Sequence, residues 1–187
     1  MANAQELIEK EKLEKTGYLD LGYRGLTDWP DLRGMDWLHT LILSNEWFDL
    51  EMGGWKRSKN EGEGNVLHHA PNKSLPLGLK ELVFGGEEPS GRYDYCLIND
   101  GSFLASLTHL TSLNIGYNRI SDLAFLAKLT HLTHLNIKNN QISDISILKK
   151  LKALTMLDIS FNHVNDISCL TQLTKLTRIG LIYNKIT

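Results

Sequence analysis

Between Phe103 and Thr187 the apolar positions recur with one period. Leu113, Leu135, Leu157 and Ile179 lie 22 residues apart, as do Leu110, Leu132, Leu154 and Leu176, and Ile115, Ile137, Ile159 and Leu181. Asn118, Asn140, Asn162 and Asn184 keep the same spacing. Self-similarity at a fixed period marks a solenoid, in which one copy cannot bury its apolar face alone and must stack on the next. Leu135 and Ile137 alternate with polar neighbours, the period of a strand. The spacing therefore predicts one short parallel strand per turn on a concave side. Ser121-Asp122, Ser143-Asp144 and Asn165-Asp166 precede short apolar runs. These side chains accept backbone N–H bonds and start helical turns. The pattern predicts 3₁₀ or short helical turns on the convex side, with Leu123, Leu126, Ile145, Leu148, Ile167 and Leu170 pointing inward.

The amino-terminal half follows the pattern less closely. Met1 to Lys15 reads as a short helix; Asn3 with Glu6 matches a capping box, and Ala4, Leu7 and Ile8 share a face. This helix is expected to cover the first turn, because terminal repeats need capping; a partner-binding helix or a link to an upstream domain is the alternative. Leu19 and Leu21, then Leu41 and Leu43, occupy strand slots 22 residues apart, but Arg24 and Glu46 stand where later turns have asparagine. An asparagine carboxamide donates and accepts together, which Arg and Glu cannot do. The asparagine ladder is therefore expected to be broken or shifted here. Residues 47–78, with Gly53-Gly54, Pro71, Pro76, Trp47 and Trp55, read as a loop excursion whose tryptophans fold back onto the solenoid. The pattern restarts at Leu79, Leu82 and Phe84, with a further insertion near Glu87 to Tyr95. The expected organisation is a cap at 1–16 and seven turns over 17–187, with an irregular turn at 82–103 and regular repeats at 104–187.

The unit L-x-x-L-x-L-x-x-N-x-I-x-D-[IL]-x-x-L resembles the leucine-rich repeat, in the 22-residue form of internalin-like and other bacterial proteins. The resemblance implies an α/β solenoid: a right-handed arc with parallel strands on its concave face and 3₁₀ turns on its convex face. The opening, Leu7 to Lys12 with Thr16-Gly17-Tyr18-Leu19-Asp20-Leu21-Gly22 and Gly25-Leu26-Thr27, resembles the start of the repeat regions of bacterial Roco proteins. There the repeats precede a Ras-like GTPase and a COR dimerisation domain; similar bacterial repeats are joined to protease or TIR-type effectors. What this implies is a protein-interaction or regulatory domain within a larger bacterial signalling protein. The chain itself carries no GTPase motif.

Bulk properties narrow the functional classes. A formal charge of −2 over 187 residues gives no electrostatic case for nucleic acid. No run approaches the roughly 18 apolar residues of a membrane helix. The start has no apolar core of a secretory signal, so a cytoplasmic origin is expected. The two cysteines, Cys96 and Cys169, imply no disulfide framework; Cys169 takes the slot of Phe125 and Ile147 and should be a small buried residue. His68-His69 lacks a third ligand at metal spacing, and nucleophile-elbow, phosphate-loop and dinucleotide motifs are missing. No catalytic, cofactor-binding or metal residues are expected. Threonines 111, 133, 155 and 177 form a ladder whose simplest role is structural. Contact with a protein partner, or with neighbouring domains of the same polypeptide, is expected on the concave side. Tyr117, Phe161 and Tyr183 share one slot as an aromatic stripe, joined by His134, Lys138 and Arg178 and by Trp55 from the insertion. Aromatics and arginine are enriched in interface cores. The chain stops just past the bend of its seventh turn, which suggests a piece of a longer protein or an end covered by another chain; self-association through that end is the alternative reading.

Overall fold

The structure is a computed structural model that describes residues 2–85 and 97–187. Seven three-residue strands form one parallel sheet. In sheet order they are β1 (Tyr18–Asp20), β2 (Thr40–Ile42), β5 (Glu81–Val83), β6 (Ser112–Asn114), β7 (His134–Asn136), β8 (Met156–Asp158) and β9 (Arg178–Gly180). Leu19, Leu41, Leu82, Leu113, Leu135, Leu157 and Ile179 are successive register partners. The predicted period is thus a spatial row. These leucines, with Leu43, Phe84, Ile115, Ile137 and Ile159, are buried in one continuous core. Short 3₁₀ turns at Ser102–Ser106, Ala124–Lys128, Ser146–Lys150 and Ser168–Gln172 form the opposite side. Each is opened by an aspartate: Asp100, Asp122, Asp144 and Asp166 accept the N–H two residues ahead at 2.7–2.8 Å. That bond holds Asp144 and Asp166 ionised below the ordinary carboxylate range. Leu123, Leu126, Ile145 and Leu148 point inward as expected, while Ile167 and Leu170 are half-buried.

Two ladders tie the turns together. Asn140 donates to the carbonyls of Ile137 in its own turn and Ile115 in the preceding one, both at 3.1 Å, and accepts from Ile120 N–H at 2.9 Å. Asn162 and Asn184 repeat the pattern one and two turns on. Thr133, Thr155 and Thr177 each donate from Oγ1 to the carbonyl of the threonine one turn back, at 2.9–3.0 Å. In the amino-terminal half the asparagine ladder is shifted, and its member is Asn65. This carboxamide donates to Leu43 and Leu21 at 2.8 and 2.7 Å and accepts from Leu26 and Arg24 N–H. The bonds with Leu43, Leu21 and Leu26 reproduce those Asn140 makes with Ile137, Ile115 and Ile120, displaced by the excursion; the bond from Arg24 N–H is an addition. Leu67, Leu75 and Leu79, which follow, are core residues. The excursion therefore leaves the repeat after Leu43 and rejoins it at Asn65, well before the boundary at 78 read from the sequence.

The cap is α1 (Ala4–Glu14), closed by a complete capping box between Asn3 and Glu6. Ile8 is buried, with Ala4 and Leu7 packed beside it. Glu11 anchors the junction: its carboxylate accepts Gly17 N–H at 2.8 Å, Trp37 Nε1–H at 3.1 Å and both donors of Thr16. In the irregular turns Trp29, Phe84 and Phe103 fill the core edge to face, with Trp29 centroids 5.1 and 5.3 Å from the other two. Among the described residues no helix is long and apolar enough to cross a membrane. The insertion expected near Glu87 to Tyr95, and Cys96, lie outside the described residues.

Cys169 is only half-buried, and its Sγ donates to Ile145 O at 3.2 Å. Burial, with Asp166 and Asp144 nearby, pushes its thiol above the ordinary range. Because the thiolate is the nucleophile, alkylation of Cys169 at pH 8 should run several-fold slower than that of a free thiol. Mass-spectrometric mapping of the Cys169 peptide checks it; alkylation at the free-thiol rate would contradict it.

Candidate functional site

Side chains on alternate strand positions stand on the concave face, because successive Cβ atoms point to opposite sides of a sheet. The face is not bare. Within the excursion, β3 (Glu46–Asp49) and β4 (Gly54–Arg57) pair antiparallel into a hairpin that lies across it. This corrects the reading of the segment as loop. Its root is fixed by Trp47, which buries itself on Ile42 and Val83 of the concave floor. The return strand is fixed by Asp20: Ser58 Oγ and the Asn60 carboxamide donate to it or to its carbonyl at 2.8 Å. Gly22 sits under this crossing, and a Cβ there would overlap the Ser44 carbonyl and the Ser58 side chain.

The hairpin register decides what it shows the sheet. Ser58 N–H donates to Asn45 O at 2.9 Å, so 45–58, 47–56 and 49–54 are the hydrogen-bonded pairs and 46–57 and 48–55 are not. The main-chain groups of Glu46 and Phe48 consequently turn away from β4, along the free edge of β3. Two concave side chains meet this edge and the tip beyond it. Asn114 Nδ2 donates to Phe48 O at 3.3 Å. Arg178 Nη1, in the last turn, donates to Leu50 O at 2.9 Å and Glu51 O at 2.7 Å. A cavity of about 500 Å³ remains between hairpin and sheet, lined by Trp47, Phe48, Lys56, Glu81, Asn114 and His134 among others. Inside the hairpin Lys56 pairs with Asp49. Burial works against the Asp49 carboxylate, but Lys56 and Met52 N–H outweigh it and hold the group below its ordinary range. The same contact raises Lys56.

The expected contact residues fall into two sets. His134 lines the cavity and shares a 2.8 Å hydrogen bond with Thr133 Oγ1. Arg178 is engaged by the hairpin tip. Trp55 is 41% exposed on the hairpin and packs edge to face on Phe48 at 5.8 Å. The second set is the stripe. Lys138 Nζ lies 5.3 Å from the Tyr117 ring centroid and 5.2 Å from that of Phe161, and Phe161 stacks on Tyr183 at 4.4 Å. Tyr117 is not a surface residue, being only 6% exposed, whereas Phe161 is 37% and Tyr183 74% exposed. Tyr117 is the buried member of the stripe, with Lys138 over its ring. The shared slot has one more property. Tyr23, Tyr117, Asn139, Phe161 and Tyr183 all adopt φ between 51° and 58°. Left-handed backbone disfavours aromatic side chains and suits Gly or Asn. The slot holds an aromatic in four of these five turns despite that strain, and strain of this kind points towards a role for the ring.

Comparison with known proteins is consistent with this geometry. Residues 108–150 and 130–172 match the family described as leucine rich repeats (2 copies). No curated protein sequence matches. Among solved structures, internalin C2 of Listeria monocytogenes is 25% identical, with a TM-score of 0.64 over 95% of this chain and 76% of that one. A leucine-rich repeat protein of Leptospira interrogans, 23% identical with a TM-score of 0.64, matches 90% of this chain and 43% of its own length, and shares the fold.

Proposed function

We propose that this solenoid of leucine-rich repeats is a protein-binding module whose partner meets the stripe Lys138, Phe161 and Tyr183 and the concave side chains His134 and Arg178, with Trp55 at the border. The observation that carries the reading is the pair of stacked, exposed rings held in strained backbone beside a lysine. Rigid aromatics lose little conformational entropy on binding, and the stacked turns hold them in place beforehand. The resemblance of the opening to Roco repeat regions supports a place within a larger bacterial protein, a Roco-like GTPase or another signalling effector, acting in the cytoplasm. Recognition through the surface itself does not depend on that context.

The double variant Phe161→Ala, Tyr183→Ala tests it. Both rings are partly or largely exposed, so folding stability should change by about 1 kcal/mol or less, a few degrees in melting temperature. Affinity capture from bacterial extract should show proteins retained by the native chain and lost by the variant. Equal retention would remove the stripe from the binding surface. Phe161→Gly separates the two roles of the slot: relief of the left-handed strain should keep or raise the melting temperature while capture is still lost.

A further inference from the structure

The hairpin occupies the concave face as a bound segment would. Its distal half is held by main-chain recognition: the floor side chains Asn114 and Arg178 donate to the carbonyls of Phe48, Leu50 and Glu51. Of the side chains in β3, only Trp47 is buried in the floor. The tip residues Glu51, Met52 and Gly53 are exposed. The contacts that hold the hairpin together are its own. Lys56 pairs with Asp49, Phe48 packs on Trp55, and Gly53 N–H closes the turn on Asp49 O at 2.9 Å. The root, in contrast, is locked. Asn45 and Ser58 pair and are buried, and Asn45 Oδ1 accepts N–H bonds from Tyr23 and Asn65. Beyond the root its remaining ties to the repeats are Trp47, Glu46, which accepts the Tyr23 hydroxyl at 3.1 Å, Arg57 over the Tyr23 ring, and the three carbonyl contacts above; none belongs to the asparagine or threonine ladder. Off the floor it would be an isolated two-stranded hairpin, which is marginally stable in water and exchanges its amides.

We propose that this hairpin is a displaceable internal occupant of the concave face, replaced by a partner segment of the same chemistry. That segment is a strand ending in a turn: the strand edge offers a carbonyl to Asn114, the turn offers two successive carbonyls to Arg178, and an aromatic side chain anchors on Ile42 and Val83. Strand-edge recognition takes its affinity from the main chain and its specificity from a few side-chain pockets, which is the division seen under the hairpin. A partner must gain more from the floor than the hairpin does, so the occupant sets a threshold for binding. The inference rests on the reading of the concave face as a partner surface.

Two measurements test it. In the intact chain, Arg178→Ala should raise amide exchange across 46–57 at least tenfold and leave β7 and β8 unchanged. Unchanged exchange in the hairpin, or an equal rise across all strands, would overturn the latch. In a second protein, Gly-Gly replaces residues 46–57 and joins Asn45 to Ser58. A cyclised peptide of residues 46–57 should bind this protein and not the intact chain, and Arg178→Ala in the shortened protein should weaken binding at least tenfold. Failure of the peptide to bind a shortened protein whose β7 and β8 keep native protection would overturn the proposal. If the shortened protein does not fold, the exchange result decides alone. Loss of the partner-surface reading is a separate outcome, because Phe161→Ala, Tyr183→Ala should leave hairpin exchange unaltered while it tests capture.

Discussion

Asn65→Ala should lower stability by about 3–5 kcal/mol. The residue follows Gly62 and Gly64, in what reads as loop. Its carboxamide nevertheless satisfies the carbonyls of Leu21 and Leu43 and the N–H groups of Arg24 and Leu26, and it is buried. Truncation strands several buried main-chain groups at once. Each unsatisfied group costs about 1–3 kcal/mol, part of which water entering the gap recovers. For a chain of this size the loss corresponds to a fall in melting temperature on the order of 10 °C. Asn140→Ala, which removes the equivalent member of the regular array, should fall by a similar amount. A thermal melt in which Asn65→Ala behaves like native protein would mean that the excursion does not rejoin the repeat at this residue.

Glu11→Ala should cost about 2–4 kcal/mol and act locally. One buried carboxylate holds Gly17 N–H, Trp37 Nε1–H, Thr16 N–H and the Thr16 hydroxyl. Hydrogen bonds to charged acceptors are the stronger kind, and their loss leaves the Trp37 and Gly17 donors in a closed junction. Glu11→Gln should not restore stability in full, since a carboxamide has one acceptor oxygen where the carboxylate uses two. Repeat solenoids are held mainly by nearest-neighbour interfaces. Exchange should therefore accelerate in α1 and β1 and remain native in β7 and β8. Uniform acceleration along the array would show that the cap is coupled to the whole stack.

The regular array was legible from the sequence because its information is periodic. Leu113, Leu135, Leu157 and Ile179 could be placed in register by counting, and the aspartates at 122, 144 and 166 announced the convex turns. The capping box was readable because Asn3 and Glu6 are local partners. The ladder in the second turn was not. Asn65 replaces Glu46 across an excursion, and nothing in its neighbours separates a ladder asparagine from a loop asparagine. The hairpin does have a local signal: Trp47-Phe48 and Trp55 flank Gly53-Gly54, a hairpin pattern, which the surrounding glycines and prolines obscure. Of the site, the slot shared by Tyr117, Phe161 and Tyr183 was visible from the period, but burial was not. Tyr117 lies in a turn covered by neighbours on both sides, and Tyr183 in the last one. That Arg178 reaches the excursion, 127 and 128 residues earlier in the chain, is a tertiary fact with no local trace.

The position of the hairpin over the concave sheet is open to one direct measurement. A nitroxide label at Met52→Cys, with Cys96 and Cys169 replaced by serine, sits at the exposed tip. Six strand spacings, about 29 Å, separate β1 from β9. The label should broaden the amide signals of Arg178 and Ile179 and spare those of Tyr18 to Asp20. Sharp signals at β9 would place the tip off the concave face and contradict the account of a covered inner wall.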